Sequence, residues 1–203
     1  MRRARALLPG LVAVAVSVSA CTTPQRAGTS SSYLIVDALL GASGAEIAKL
    51  STVLNSDVAT NGGVLQDPGE ITLRLALRDP GTTNSPSAPS SLNYITLSRY
   101  HVRYLRSDGR NTPGVDVPYA FDSGLGVTVG ETSVKAAITL VRIQAKLEAP
   151  LKALVGHGGA VAISTIAAVT FYGTDQTGRE VSAVANIGIN FADWADPAGS
   201  GGN

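Results

Sequence analysis

At 203 residues the chain is long enough for one domain with a sizeable core. Sixteen basic residues face fifteen acidic ones, a near-neutral balance that argues against the basic footprint of bulk nucleic-acid binding. Charged residues are 15% and aromatics 5%, so the core is aliphatic and the surface leans on Ser, Thr, Asn and Gly. A lone cysteine leaves no partner for an internal disulfide.

Residues 1–20 read as a targeting segment. Arg2, Arg3 and Arg5 make a positive start, and Leu7 to Ala20 make an apolar run broken only by Pro9, Gly10 and small serines. A helix of that length rises ~21 Å against a hydrocarbon core of roughly 30 Å, so the run is too short to span comfortably. Positive start, short apolar middle and small-residue end are the marks of a secretory signal.

The ending, Val18-Ser19-Ala20-Cys21, resembles the lipobox of bacterial lipoproteins: an aliphatic residue, two small ones, then Cys. The resemblance implies that a diacylglycerol alkylates the Cys21 thiol, that the chain is cut before Cys21, and that the new amine is acylated. Each buried CH₂ contributes ~0.8 kcal/mol, so two or three chains hold a protein to a membrane firmly. Thr22, where Asp would signal inner-membrane retention, leans toward the outer membrane of a Gram-negative cell. The expected location is the cell envelope, with the membrane itself as a partner through Cys21. Loss of residues 1–20 would leave 13 basic residues against 15 acidic.

Residues 21–32 hold Cys21 and the polar tether TTPQRAGTSSS, whose eleven residues reach ~18 Å as a flexible chain. A β-domain is expected over 33–194, and 195–203 is expected to be a disordered tail. The segment 33–40 is a first strand. Residues 45–50 suit one helical turn, and 52–59 a second edge segment. In 71–79, Ile71, Leu73, Leu75 and Leu77 alternate with Thr72, Arg74, Ala76 and Arg78, the period of a half-buried strand.

Residues 93–110 continue this pattern, with Tyr100, Val102 and Tyr104 on one face and Arg99, His101 and Arg103 on the other. Asp108-Gly109 supplies a tight turn, and 114–121 is expected to return beside it as an edge strand, since Pro118 lacks an N–H. In 132–149, Val141, Ile143, Ala145 and Leu147 alternate with Arg142, Gln144, Lys146 and Glu148, which favours a strand over the rival helix. Residues 150–159 can hold a short helical turn. The runs 160–173 and 179–194 flank TDQTG as a hairpin.

About seven strands without a long helix predict an all-β fold, an antiparallel two-sheet sandwich. The order resembles immunoglobulin-like and fibronectin-type-III-like domains. The stretches VTFYG (169–173) and NFADW (190–194) are similar to those of uncharacterised bacterial envelope lipoproteins, a resemblance that implies no activity.

Chemistry is sparse. His101 reads as a strand residue between Arg99 and Arg103, whose charge would repel a metal ion. His157, in GHGG (156–159), reads as a turn residue. Neither H-E-x-x-H nor G-x-S-x-G occurs, and GLGVTVG (124–130) misses the dinucleotide spacing. Asp116 and Asp122 could converge near one edge, but a catalytic pair needs a fixed separation.

Residues 70–110 carry six arginines, among them Arg74, Arg78, Arg99 and Arg103, against Glu70, Asp79 and Asp108. Arginine forks suit phosphate and carboxylate, which makes these four the candidate binding residues. In a sandwich, however, the two strands would lie in different sheets, and the arginines would be ordinary charges on outer faces. The loop 79–92 is long enough for partner binding. This loop and TDQTG should share one end with the N-terminal tether, with Trp194 at the other as a packing anchor.

The expected role is a non-enzymatic structural or protein-binding module, with no cofactor, no metal and a possible envelope protein as partner. The alternatives are a small-ligand or glycan binder using loops at one end, and an envelope hydrolase built on His101 or His157.

Overall fold

The computed structural model describes residues 29–194 and 196, so Cys21, the expected signal segment and most of the expected tether and tail lie outside the described residues. The main strands are β1 (Ser32–Gly41), β2 (Val53–Asp57), β3 (Asp67–Leu77), β6 (Ile95–Leu105), β7 (Phe121–Val129), β8 (Val134–Val141), β9 (Ile163–Asp175) and β10 (Glu180–Ala192). Two-residue strands β4 (Gly81–Thr82) and β5 (Ser85–Pro86) form a miniature hairpin in the 79–92 loop. One helix of five residues, α1 (Ile143–Leu147), and 3₁₀ turns at Ser91–Asn93 and Leu151–Leu154 complete the elements. The fold is all-β.

Three strands pair in the order β1-β3-β8 and five in the order β2-β10-β9-β6-β7. Every pairing is antiparallel except β2 with β10, which is parallel. Residues of both sheets join one hydrophobic cluster, including Leu34, Leu39, Ile71, Leu73 and Leu140 from the first and Ile95, Leu97, Val169, Phe171 and Ile189 from the second. Each such side chain stabilises by about 1.5–3 kcal/mol when fully buried. Two tyrosines tie β6 to β8 through this core. Tyr104 Oη donates to the Leu140 carbonyl (2.7 Å), and Tyr100 Oη accepts from the Thr139 N–H (2.8 Å).

Strict alternation fails where strands bulge, and the bulges explain which side chains go inside. In β1 the register shifts between Val36 and Ala38, so Leu34 is buried before the shift and Leu39 after it. Asp37, at the shift, turns outward and meets Arg74 (2.7 Å). In β6 the shift between Leu97 and Arg99 moves the inward set from Ile95 and Leu97 to Tyr100, Val102 and Tyr104. Gly173 of β9 sits opposite Leu97, and a Cβ there would collide with the Thr96 carbonyl and the Leu97 backbone.

Four expectations need correction. Residues 45–50 form two successive turns, with the Lys49 N–H bonded to the Glu46 carbonyl, and no helix. Asp108-Gly109 does turn the chain, with Gly109 at φ 82°, but 114–121 does not return as a strand. The N–H groups of Val115, Asp116 and Val117 all converge on the Thr112 carbonyl, and the Asp116 carboxylate accepts the Thr112 N–H, which curls the segment. The returning edge strand is β7, which starts at Phe121.

The 132–149 segment is a strand only to Val141. Beyond it α1 buries Lys146 beside Ala145 and exposes Ile143 and Leu147, so the alternation fails at three of these four positions. Eight strands make up the two larger sheets, against about seven expected. The short helical turn expected in 150–159 is present as a 3₁₀ turn at Leu151–Leu154, and the expected β9–β10 hairpin is present.

Candidate functional site

The four candidate arginines are not brought together. Arg74 and Arg78 lie on β3, and Arg99 and Arg103 lie on β6 of the other sheet. Arg74 pairs with Asp37. Arg78 lies over the Tyr33 ring (4.2 Å to its centre) and donates to the Ser30 carbonyl (2.6 Å), which fastens the incoming chain to β3. Arg99 lies 3.8 Å over the Tyr172 ring and binds Asp122 (3.0 Å). Arg103 is exposed and, among the described residues, in no ion pair. Arg106 and Arg110 both bind Asp108, and these hydrogen bonds, Arg106 foremost, hold its carboxyl well below the usual range.

Asp122 also faces His101, with Nδ1 3.1 Å from Oδ2. This pair is the nearest thing to a catalytic fragment, yet no hydroxyl among the described residues hydrogen-bonds the imidazole. Asp116 and Asp122 do not share a proton or a partner, since one closes the 112–117 turn and the other serves Arg99 and His101. His157 stands exposed in a turn. No metal-holding cluster of His, Cys, Asp and Glu occurs among the described residues. No described helix is long and apolar enough to cross a membrane. A hollow of ≈ 540 Å³ beside Arg99 and Tyr172 is otherwise lined by Ser98, Thr174, Glu180 and neighbours.

The tether enters at one end. Ser32 Oγ donates to the Asn93 carbonyl (2.9 Å), Asn93 Nδ2 donates to Ser31 Oγ (2.8 Å), and Gln176 Nε2 donates to Thr96 Oγ1 (3.1 Å). The incoming chain, the close of the 79–92 loop and the TDQTG turn therefore meet at the same pole. In that turn the Asp175 carboxylate takes the Thr177 hydroxyl and the N–H groups of Thr177 and Arg179. Burial pushes the Asp175 carboxyl up, but hydrogen bonds from the Thr177 hydroxyl and the Arg179 N–H outweigh it and leave it below the ordinary value.

Ten residues of β1 carry the chain about 33 Å to the opposite pole. There Trp194 closes the last strand, its backbone N–H bonded to Asp57 Oδ1 (3.0 Å). Two features missed by sequence reading lie at this pole. The first is a groove of ≈ 490 Å³ lined by Ile47, Leu50, Leu65, Pro68, Ala137 and Ile143 among others. Ile47 is 67% exposed, and Leu65 and Ile143 are 43% exposed, so these apolar side chains face solvent.

The second is a buried ion pair. Lys146 Nζ lies 2.8 Å from Asp67 Oδ1, with the side chains 1% and 0% exposed. Lys146 also donates to the Asp57 carbonyl (2.6 Å), while Asp67 accepts from Ser56 Oγ (2.6 Å, at Oδ2) and the Gly44 N–H (2.9 Å, at Oδ1). Burial holds the Asp67 carboxyl above its ordinary value despite the lowering effect of Lys146. The sequence signal for this site was a lysine inside an apolar stretch, which alternation had assigned to solvent.

Comparison with known proteins gives no match to a family model, a curated protein or a solved structure.

Proposed function

We propose that the chain is a lipid-anchored lipoprotein of the bacterial cell envelope, and that its domain is a non-enzymatic protein-binding module. The observation that carries the anchor is Val18-Ser19-Ala20-Cys21 behind a short apolar run with a basic start. We further propose an immunoglobulin-like two-sheet sandwich. Support comes from the strand order, since β1-β3-β8 and β10-β9-β6-β7 follow the A-B-E and G-F-C-C′ arrangement of such domains, with β2 added beside β10.

Support for a partner-binding role comes from the groove at the pole remote from the tether. An anchor at Cys21 directs the entry pole toward the membrane and presents Ile47, Leu65 and Ile143 away from it, where an envelope protein could cover them.

The test is intact mass of the protein from membranes of its own host, with cross-linking before extraction. A mass of residues 21–203 plus acyl chains, with one envelope protein reproducibly attached, is expected. Leu65→Asp with Ile143→Asp should abolish the attachment while leaving the circular dichroism spectrum unchanged. An unacylated chain would overturn the anchor. Acylation with no reproducible partner would overturn the protein-binding role and favour a small ligand in the hollow beside Tyr172.

A further inference from the structure

The pair Lys146 and Asp67 is in contact and shut away from solvent. Its elements come from distant parts of the chain: Lys146 projects inward from α1, and Asp67 opens β3, 79 positions earlier, paired with Val141. Ser56 and Asp57 end β2 and are themselves buried. An ion pair in such surroundings bears a large desolvation cost, and one route out is transfer of a proton to give a neutral amine beside a neutral acid. Those are the reactants of amide formation. Burial already favours the protonated Asp67 carboxyl.

We propose that Lys146 and Asp67 condense to an intramolecular isopeptide bond, closing a covalent ring across the pole remote from the tether. Nζ, within hydrogen-bond distance of the carboxyl, forms a bond to Asp67 Cγ, and the Cγ–Oδ2 bond breaks. Two of the three ammonium protons leave with Oδ2 as water, and the third stays on the new amide nitrogen. No oxidant, reductant or cofactor is consumed.

The neighbours are arranged for each part of this step. The Gly44 N–H points at Oδ1, where negative charge gathers in the tetrahedral intermediate and where the amide carbonyl remains. The Ser56 hydroxyl donates to Oδ2, the departing atom, and stabilises it as it takes up protons and leaves. The Asp57 carbonyl accepts from Nζ and keeps a partner for the remaining N–H. Holding amine and carboxyl in contact replaces an encounter in water with effective concentrations of up to about 10⁵–10⁸ M.

The reaction is read directly by mass. The folded full-length protein, digested with trypsin under denaturing conditions, is expected to yield a branched peptide joining the Asp67 and Lys146 segments. Its mass should be one water below the sum of the two, with no cleavage after Lys146. A succinimide cannot mimic this loss at Asp67, because Pro68 follows and has no N–H to close the ring. Lys146→Met and Asp67→Ala should each restore the linear peptides, and Ser56→Ala should slow bond formation at least tenfold in protein refolded from the unlinked state. Linear Asp67 and Lys146 peptides from the native protein would overturn the proposal, with no variant needed. The readout does not involve Cys21 or any partner, so its failure is separate from failure of the lipoprotein reading.

Discussion

Asp175 at the entry pole and Asp67 at the opposite pole accept the same kinds of bonds. Each takes a hydroxyl and at least one backbone N–H, and each residue is nearly or wholly buried. Only Asp67 has a lysine, yet its carboxyl is the one pushed up, while that of Asp175 is held down. The difference lies in depth. Asp175 sits in a surface turn whose Thr177 hydroxyl and Thr177 and Arg179 N–H groups point at its carboxylate, so hydrogen bonds outweigh desolvation. Asp67 is walled in by β2, β8 and α1, and there desolvation exceeds what the lysine and two donors return.

The largest expected break in this comparison is at Lys146. Lys146→Ala leaves Asp67 buried without its partner and should cost about 3–5 kcal/mol, measured by denaturant unfolding. The double change Lys146→Met with Asp67→Leu should recover much of that loss, because an apolar pair of similar volume needs no solvation. No recovery would mean that the charges, or the bond formed from them, hold this pole together.

A smaller effect is expected at Asp175. Asp175→Ala removes the three hydrogen bonds that close the β9–β10 turn and should cost about 1–2 kcal/mol. The sign with pH is fixed by the direction of the shift. A carboxyl lower in the folded state stabilises above its unfolded pKa, and that stability is lost as pH falls through the folded value. Wild type should therefore lose stability at acid pH, and the Asp175→Ala variant should lose less over the same range. For Asp67, raised in the folded state, the contribution runs the other way: it is present below the unfolded pKa and fades as pH rises through the folded one. Asp67 held in an amide would not titrate, so the acid limb would then carry the Asp175 signature without the Asp67 opposition.

The smallest effect is expected on the outer sheet faces. Arg74→Ala and Arg99→Ala each remove an exposed ion pair, and Arg99→Ala also removes a stacking contact with Tyr172. Each should cost no more than about 1 kcal/mol in the same unfolding measurement. A larger loss at Arg99 than at Arg74 would show that the ring contact contributes beyond the ion pair.

Much of the fold was legible because it depends on neighbours in sequence. Tyr100, Val102 and Tyr104 point inward as their spacing implies, and TDQTG and Asp108-Gly109 turn the chain where small and polar residues permit it. The split of the four arginines between two sheets also followed from placing β3 and β6 apart. The apolar groove was not legible, because Ile47, Leu65 and Ile143 come from three separate connections. The ion pair was hidden for the same reason, since nothing near Lys146 in sequence announces Asp67.

Sequence alone determined the strand-rich character and the turn positions, which rest on composition, period two and short spacings. Tertiary structure alone decided where alternation breaks and which charged residue goes inside. Bulges at Asp37 and Ser98 exchange the inward and outward sets, and α1 turns Lys146 into the core while leaving Ile143 and Leu147 in water. The physical reason is that hydrophobic period is a local average, whereas burial of a single lysine is decided by whether a carboxylate 79 positions away arrives to meet it.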